Sequence, residues 1–434
     1  MCIRDSSQGY YLTGSDNNET ETLEAVRKMG IPVFMGQRAE NIEGADLIVH
    51  TAAIMADNPE LIAAKASNAP VLERSELLGI VTGWYDNAIC VSGTHGKTTT
   101  TSMITQILFT AGVDLSAFIG GKLPCIGGSG RAGKSDIMVC EACEFVDTFL
   151  KLYPDVAVIL NIDEDHLDYF KNLENIIKSF RKFSEMATKA LIINGDDANT
   201  LKAVDGITGK EFITFGLDSK NDYYAANIKK ISGMETEYTL MYKGKALGKI
   251  NLHVAGVHNI LNSLAAAAAA FYANVSFESI QKGLSDFRGA GRRFELIGKE
   301  KGITIVDDYA HHPTELSVTL KAAMDMGYNK VWAVFQPFTF SRTAILLDDF
   351  AKALSIPDNA VLTDIMGSRE KNTYNIYTRN LAEKIDGCIY FPQDENAEYT
   401  DERKYENFGQ VCDYICENAN DGDLVITLGC GDVY

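Results

Sequence analysis

The chain has 434 residues, 46% hydrophobic and 23% charged, which is ordinary soluble composition and length for about three domains. Its formal net charge of −19 argues against a general nucleic-acid or anionic-membrane surface, and no apolar run reaches the roughly 18–20 residues that span a bilayer. Nine cysteines scattered without a paired framework suit a reducing cytoplasm, and Cys140-x-x-Cys143 has no second pair at zinc spacing.

Met1-Cys-Ile-Arg-Asp-Ser6 fits no targeting pattern. Gly9 to Asp16 then reads as a strand ending in an acid. In a nucleotide-binding βαβ unit such an acid closes the second strand, after a first strand and a glycine-rich turn. Neither precedes Gly9, so the expectation is a truncated or mis-joined start. Pro32 to Met35 and Ala45 to Val49 read as strands, and Thr20 to Met29 and Pro59 to Ala66 as helices. This alternation predicts a parallel sheet.

Ala88-Ile-Cys-Val91 is an apolar strand, and Met103 to Phe109 a helix that stops at Gly112. Between them lies a glycine loop, the arrangement that aims backbone N–H groups and a helix N-terminus at a phosphate. The full eight-residue pattern asks for glycine where Val91 stands, so Gly93-x-x-Gly96-Lys97-Thr98 is a shortened variant. Lys97 places a point charge on terminal phosphates and Thr98 a hydroxyl on Mg²⁺.

Two more strands, Ile137 to Cys140 and Val156 to Leu160, lead to Glu141 and to Asp163-Glu-Asp-His166. Ligands of open parallel sheets gather at such C-terminal strand ends. Glu141 and His166 offer oxygen and nitrogen to a hard divalent ion beside the loop. Tyr/Ile-rich runs between 222 and 254, broken by Lys243-Gly244, predict a hairpin insertion. In Val257-His-Asn-Ile-Leu-Asn262, Asn259 and Asn262 share a helix face able to read an adenine edge. An alanine-rich helix core, Leu264 to Ala273, follows.

From Gly291-Arg-Arg-Phe294 a third segment alternates strands (303–306, 331–335, 360–362, 424–427) with helical patterns. Arg292-Arg293 offers charge for a transferring phosphate, or is a solvated linker. Asp307-Asp-Tyr-Ala-His-His-Pro-Thr-Glu315 puts five Asp, His and Glu side chains directly after a strand. A plain connector with a helix entry is the simpler reading, but paired Asp and His favour a site. Asp308 would bind a ribose and His311 orient a phosphate or carboxylate. The chain stops at Tyr434, directly after a strand and Gly429-Cys-Gly431, where a closing helix is expected.

These motifs, in order, resemble the Mur ligases over nearly the whole chain. They are Gly93-Thr-His-Gly-Lys-Thr-Thr99, Glu141-Ala-Cys-Glu144, Asn161 to His166, His258-Asn259, Gly291 to Phe294 and Asp307 to Pro313. Phe335-Gln-Pro-Phe-Thr-Phe-Ser-Arg-Thr343 and Ser368-Arg-Glu370 complete them. The resemblance implies an α/β chain of three domains. Residues 1–86 would be an incomplete Rossmann-like domain for a UDP substrate, 87–290 a P-loop ATPase domain, and 291–434 a Rossmann-like domain. It also implies an ATP- and Mg²⁺-dependent cytoplasmic bacterial ligase. That enzyme would join L-alanine to the lactyl carboxylate of UDP-N-acetylmuramate through an acyl phosphate, as a monomer or weak homodimer. A recycled tripeptide is the alternative to alanine.

Residue roles follow from the resemblance. ATP would be held by Gly93, Thr94, His95, Gly96, Lys97, Thr98 and Thr99, with Asn259, Asn262, Arg293, Asp308, Tyr309 and His311. Thr98 and Glu141 would hold one Mg²⁺ and His166 would help hold a second, and Asp16, Thr51, His95 and Arg342 the substrate. Lys97, His166, Arg293 and Arg342 would be catalytic. A non-catalytic scaffold would be expected to lack Lys97, Glu141 or His166, and all three are present. Phe338-Thr339 departs from the family's usual His-containing pair, and any imidazole role there is lost.

Overall fold

The computed structural model describes residues 9–52, 54–231, 234–367, 370–392, 406–431 and 433. The opening six-residue stretch, Ser368 and Arg369 of the last motif, and Tyr434 lie outside the described residues. The chain forms two compact units. The first comprises residues 1–228, 237–251 and 257–287, and the second 229–236, 252–256 and 288–434.

The expected sheet of the first segment forms as two separate parallel pairs. β1 (Gly14–Asp16) pairs with β2 (Val33–Met35), and β3 (Ile48–His50) with β4 (Val71–Glu73). Among the described residues no strand joins the pairs. Both expected helices form, at Glu21–Lys28 and Pro59–Ala66. Each starts on a polar cap, because Thr20 and Asn58 side chains accept first-turn N–H groups.

The centre of the first unit is a ten-stranded sheet. Its strands are β5 (Asn87–Ser92), β6 (Ser116–Leu123), β7 (Gly128–Arg131), β8 (Ile137–Glu141), β9 (Val156–Ile159), β10 (Ala190–Asn194), β11 (Glu211–Gly216), β12 (Tyr223–Lys230), β13 (Thr236–Tyr242) and β14 (Lys245–Leu252). The order is β14-β13-β12-β11-β10-β9-β5-β8-β6-β7. β5 runs parallel to both β8 and β9, and its residues 88–92 are all buried. A strand covered on both faces reads as a continuous apolar run, as Ala88 to Val91 does. The expected hairpin turns through Lys243 and Gly244, with φ of 47° and 80°. Positive φ at both positions is what a two-residue hairpin turn needs.

β5 is the switch point of this sheet. Its neighbours β8 and β9 both come later in the chain, so connections leave it in opposite directions and open a crevice at its C-terminal end. Helix Lys97–Thr110 starts there. It packs against helices Val257–Tyr272 and Phe277–Asp286. A side chain at Gly283 would come within 2.7 Å of the Ile107 backbone, so only glycine allows that approach. The opposite face carries Phe149, Phe180 and Phe183, stacked and edge-on around Cys140 and Ile159.

The second unit holds a six-stranded sheet, β15-β16-β20-β17-β18-β19. These are Glu295–Glu300, Ile303–Asp308, Leu424–Leu428, Val331–Phe335, Asn359–Thr363 and Ile389–Phe391. β15 is antiparallel to β16 and the other pairs are parallel. Phe335, Phe350 and Ile426 lie in its fully buried core. No helix among the described residues is long and apolar enough to cross a membrane.

Candidate functional site

In the first unit the glycine loop bends where glycine is required. Gly93 and Gly96 have φ of 149° and 86°. A side chain on Gly93 would meet Leu160 Cβ at 2.9 Å, and one on Gly96 would meet Asn262 Oδ1 at 2.5 Å. Gly96 caps helix Lys97–Thr110 without a side-chain hydrogen bond, so no side chain blocks the first-turn N–H groups. Asn161 clamps the loop: its Oδ1 accepts from His95 N at 2.8 Å and its Nδ2 donates to His95 O at 3.0 Å. The Thr94 hydroxyl accepts from Asp163 N at 2.9 Å.

Lys97 Nζ donates to Gly93 O, Thr94 O and Glu144 Oε1 at 2.6, 3.1 and 3.0 Å. Its distance to Glu144 Oε2 is 2.8 Å, an ion-pair contact without an aligned hydrogen bond. Burial is the largest single influence on Lys97 and disfavours its charge. Glu144 and the neighbouring acidic groups outweigh it, so the pKa is raised and the ammonium persists. Thr98 Oγ1 donates to Glu141 Oε1 at 2.9 Å, while Gly120 N holds Glu141 Oε2 at 2.7 Å. Thr99, one residue further along the helix, is half-buried.

His166 adopts a left-handed conformation (φ 51°) and lies against Phe145, with ring centres 4.6 Å apart. Its ring nitrogen and the carboxylates of Glu144 and Asp165 offer ligand atoms within 4.8 Å of one another. Two carboxylates and an imidazole suit a hard divalent ion, and the incompletely bonded Glu144 Oε2 leaves a lone pair for one. The three expected metal residues thus separate into two groups: Thr98 stands with Glu141, and His166 with Glu144 and Asp165. Sequence reasoning passed over Glu144 and Asp165. Both stood inside quoted motifs, but only the fold shows Glu144 to be 2% exposed and paired to Lys97.

Asn262 is buried against Gly96 and donates to Asn259 Oδ1 at 3.1 Å, so this pair supports the loop as well as lying beside it. His95 Nε2 is 4.0 Å from Asp163 Oδ2, and burial, then the nearby His95, lowers the His258 pKa. Asp16 ends β1 and accepts from Asn18 N, whereas exposed Thr51 follows β3, so they sit on different strand pairs. Of the CxxC pair, Cys140 is buried and Cys143 exposed.

In the second unit the expected residues also gather. Arg292 and Arg293 hold their guanidinium groups 5.1 and 5.4 Å from the Tyr309 ring centre. Arg292 is otherwise a staple: Nε donates to Asp307 Oδ2 at 2.8 Å, and its other nitrogens reach Gly429 O and Gly431 O at 2.7 and 3.1 Å. Asp308 accepts Phe294 N and Ala310 N, each at 2.8 Å. Burial, partly offset by Arg293, raises its pKa to about 6. Burial lowers the His311 pKa against the opposing pull of Glu315, and His311 Nδ1 lies 3.0 Å from Tyr309 O. Arg342 stands 6.0 Å from the Phe338 ring centre, and Nη1 donates to Phe338 O at 3.3 Å. Tyr309, His311 and Phe338 continue edge to face, at 5.5 and 6.3 Å between centres.

Three family models match the chain in succession. They are the Mur ligase family catalytic domain (residues 6–83), the Mur ligase middle domain (91–270), and the Mur ligase glutamate ligase domain (292–431). A UDP-N-acetylmuramate–L-alanine ligase of Acetivibrio thermocellus is 43% identical over 435 residues, 98% of this chain and 89% of its own. One of Agathobacter rectalis is 43% identical over 98% of this chain and 91% of its own. Among solved structures, the UDP-N-acetylmuramate-alanine ligase of Thermotoga maritima has a TM-score of 0.80 at 26% identity, covering 100% of this chain and 93% of that one. A murein peptide ligase of Psychrobacter arcticus has 0.71 at 23% identity, over 99% and 92%, a likeness of fold alone.

Proposed function

The chain belongs to the Mur ligase family, and we propose that it joins L-alanine to the lactyl carboxylate of UDP-N-acetylmuramate with cleavage of ATP. What carries the reading to this substrate pair is likeness over 98% of the chain to relatives bearing that activity in their names. The loop geometry supplies the chemistry. In this reading the step is cytoplasmic and yields a peptidoglycan precursor, and the enzyme is a monomer or weak homodimer. Residues 1–86 are assigned to the nucleotide sugar and 87–290 to ATP, and 291–434 form the C-terminal ligase domain.

A lactyl oxygen attacks the γ-phosphorus and ADP leaves, giving an acyl phosphate. The alanine amine, having lost a proton, attacks the acyl carbon, and phosphate departs as the amide forms. The first step brings one anion onto another, so positive charge must already be in place. Lys97 and the open helix N-terminus supply it to the phosphates, with Gly93 to Thr99 wrapping them. Thr98 with Glu141, and Glu144 with Asp165 and His166, would hold Mg²⁺, which would supply further positive charge at the phosphate oxygens. Arg293 is assigned to the transferring phosphate, and Asn259, Asn262, Asp308 and Tyr309 to the nucleoside. His311 and Arg342 are assigned to carboxylate groups, and Asp16, Thr51 and His95 to the nucleotide sugar.

The test combines ATP, UDP-N-acetylmuramate and L-alanine and follows both phosphate release and product mass. Release that needs all three, with product heavier by one alanine residue, supports the proposal. Release with a tripeptide and none with alanine would overturn it.

A further inference from the structure

Arg74 is not among the residues assigned above. It directly follows β4, and the β3/β4 register pairs His50 with Glu73. Arg74 opens the helix Arg74–Thr82, and Thr51 follows β3, so both stand just beyond the C-terminal ends of the paired strands, where open parallel sheets bind ligands. The same guanidinium lies 5.8 Å from the centre of the Phe118 ring on β6. Two residues further along β6, Gly120 N holds Glu141, which shares a hydrogen bond with Thr98 of the phosphate loop. Arg74 therefore spans from the edge assigned to the nucleotide sugar to the strand that supports the loop.

Its charge is available. Among the described residues Arg27, Arg131, Arg181 and Arg292 each pair with a carboxylate, whereas Arg74 is one of several arginines without such a pair. The adjacent acids are already engaged: Glu73 with Lys151 and Ser75, and Glu76 with Glu73 N. An exposed arginine without a carboxylate partner, its guanidinium near an aromatic ring in a chain of net charge −19, offers the fork that a bidentate carboxylate needs.

We infer that Arg74 binds the lactyl carboxylate of the nucleotide sugar and orients it toward the transferring phosphate. The inference rests on the function proposed above. Of the substrate's anionic groups, the diphosphate belongs with the uridine, whereas the carboxylate must reach the γ-phosphate. The Phe118 contact places the guanidinium on the strand that leads to that reacting end.

The experiment measures equilibrium binding of UDP-N-acetylmuramate, of UDP-N-acetylglucosamine (which lacks the lactyl group) and of a non-hydrolysable ATP analogue. The proteins are the unaltered chain, Arg74→Ala and Arg74→Lys. In Arg74→Ala, affinity for UDP-N-acetylmuramate should fall ~10-fold or more, the scale of a lost charge-assisted hydrogen bond pair. UDP-N-acetylglucosamine and the ATP analogue should be unaffected, and lysine should restore only part of the loss. Equal weakening of both sugars would assign Arg74 to the diphosphate and overturn the inference, as would no weakening of either. Failure of the unaltered chain to bind either sugar would overturn the proposed function itself, and this inference with it.

Discussion

Each unit has a charge pair at 2.8 Å with one almost wholly buried acid: Lys97 with Glu144 in the first, Arg292 with Asp307 in the second. They differ in what else the acids do. Asp307 is saturated, with Oδ2 on Arg292 and Oδ1 accepting from Thr427 Oγ1 at 2.7 Å. Glu144 has an aligned bond at only one oxygen, and Asp165 and His166 stand within ligand distance of it. The first pair keeps one carboxylate oxygen without a hydrogen bond, whereas both oxygens of the second are bonded. Density of charge does not separate a reactive site from a structural staple; the unused hydrogen-bonding capacity of the buried acid does.

The most severe way to break this contrast is Arg292→Ala. It leaves Asp307 buried without its counter-charge, so unfolding free energy should fall by about 3–5 kcal/mol. Chemical denaturation reads this directly, and a change below about 1 kcal/mol would deny the staple. Lys97→Ala should act on turnover as well as on stability, lowering kcat by ~10²–10³ as loss of a preorganised charge does. Near-normal kcat would mean that the loop is not the phosphate site.

Asp308 sharpens the comparison through pH. Its native pKa of about 6 lies above the usual aspartate value of about 3.9, so between those values the folded chain holds the extra proton. The stability that this protonated acid provides is present below about pH 4 and lost as pH rises through 6. Denaturation from pH 4 to 7 should show that decline, and Asp308→Asn should flatten it by up to about 3 kcal/mol. An identical pH slope in the variant would contradict the buried, proton-holding state. The smallest effect is expected at Arg293→Ala: a loss in kcat of ~10-fold, about the 1.4 kcal/mol of one weakened contact, with stability unchanged within about 0.5 kcal/mol. A stability loss matching that of Arg292→Ala would erase the distinction between these neighbours.

How much of this was legible before folding depends on how local each signal is. The phosphate loop was plain because Gly93, Gly96 and Lys97 act through backbone geometry at fixed spacing, between an apolar strand and a helix. Arg292 and Arg293 looked equivalent because nothing in the chain records that Arg292, at φ 59°, turns inward to the Gly429 and Gly431 carbonyls. Asp307 and Asp308 looked like one acidic site, yet successive strand residues point to opposite faces and meet different partners. Glu144 was overlooked because Glu141 ends the strand, whereas Glu144 reaches Lys97 only through the turn that follows. The first segment's separate strand pairs are likewise a matter of pairing across the fold, which alternation along the chain does not specify.

The central claim is that the lactyl carboxylate attacks the γ-phosphate beside Lys97. It is tested most directly with UDP-N-acetylmuramate labelled with ¹⁸O in that carboxylate, incubated with ATP and L-alanine, and mass analysis of the released phosphate. An acyl phosphate passes one carboxylate oxygen to phosphate when the amine displaces it, so one ¹⁸O per phosphate is the predicted result. Unlabelled phosphate released together with ligated product would contradict the account.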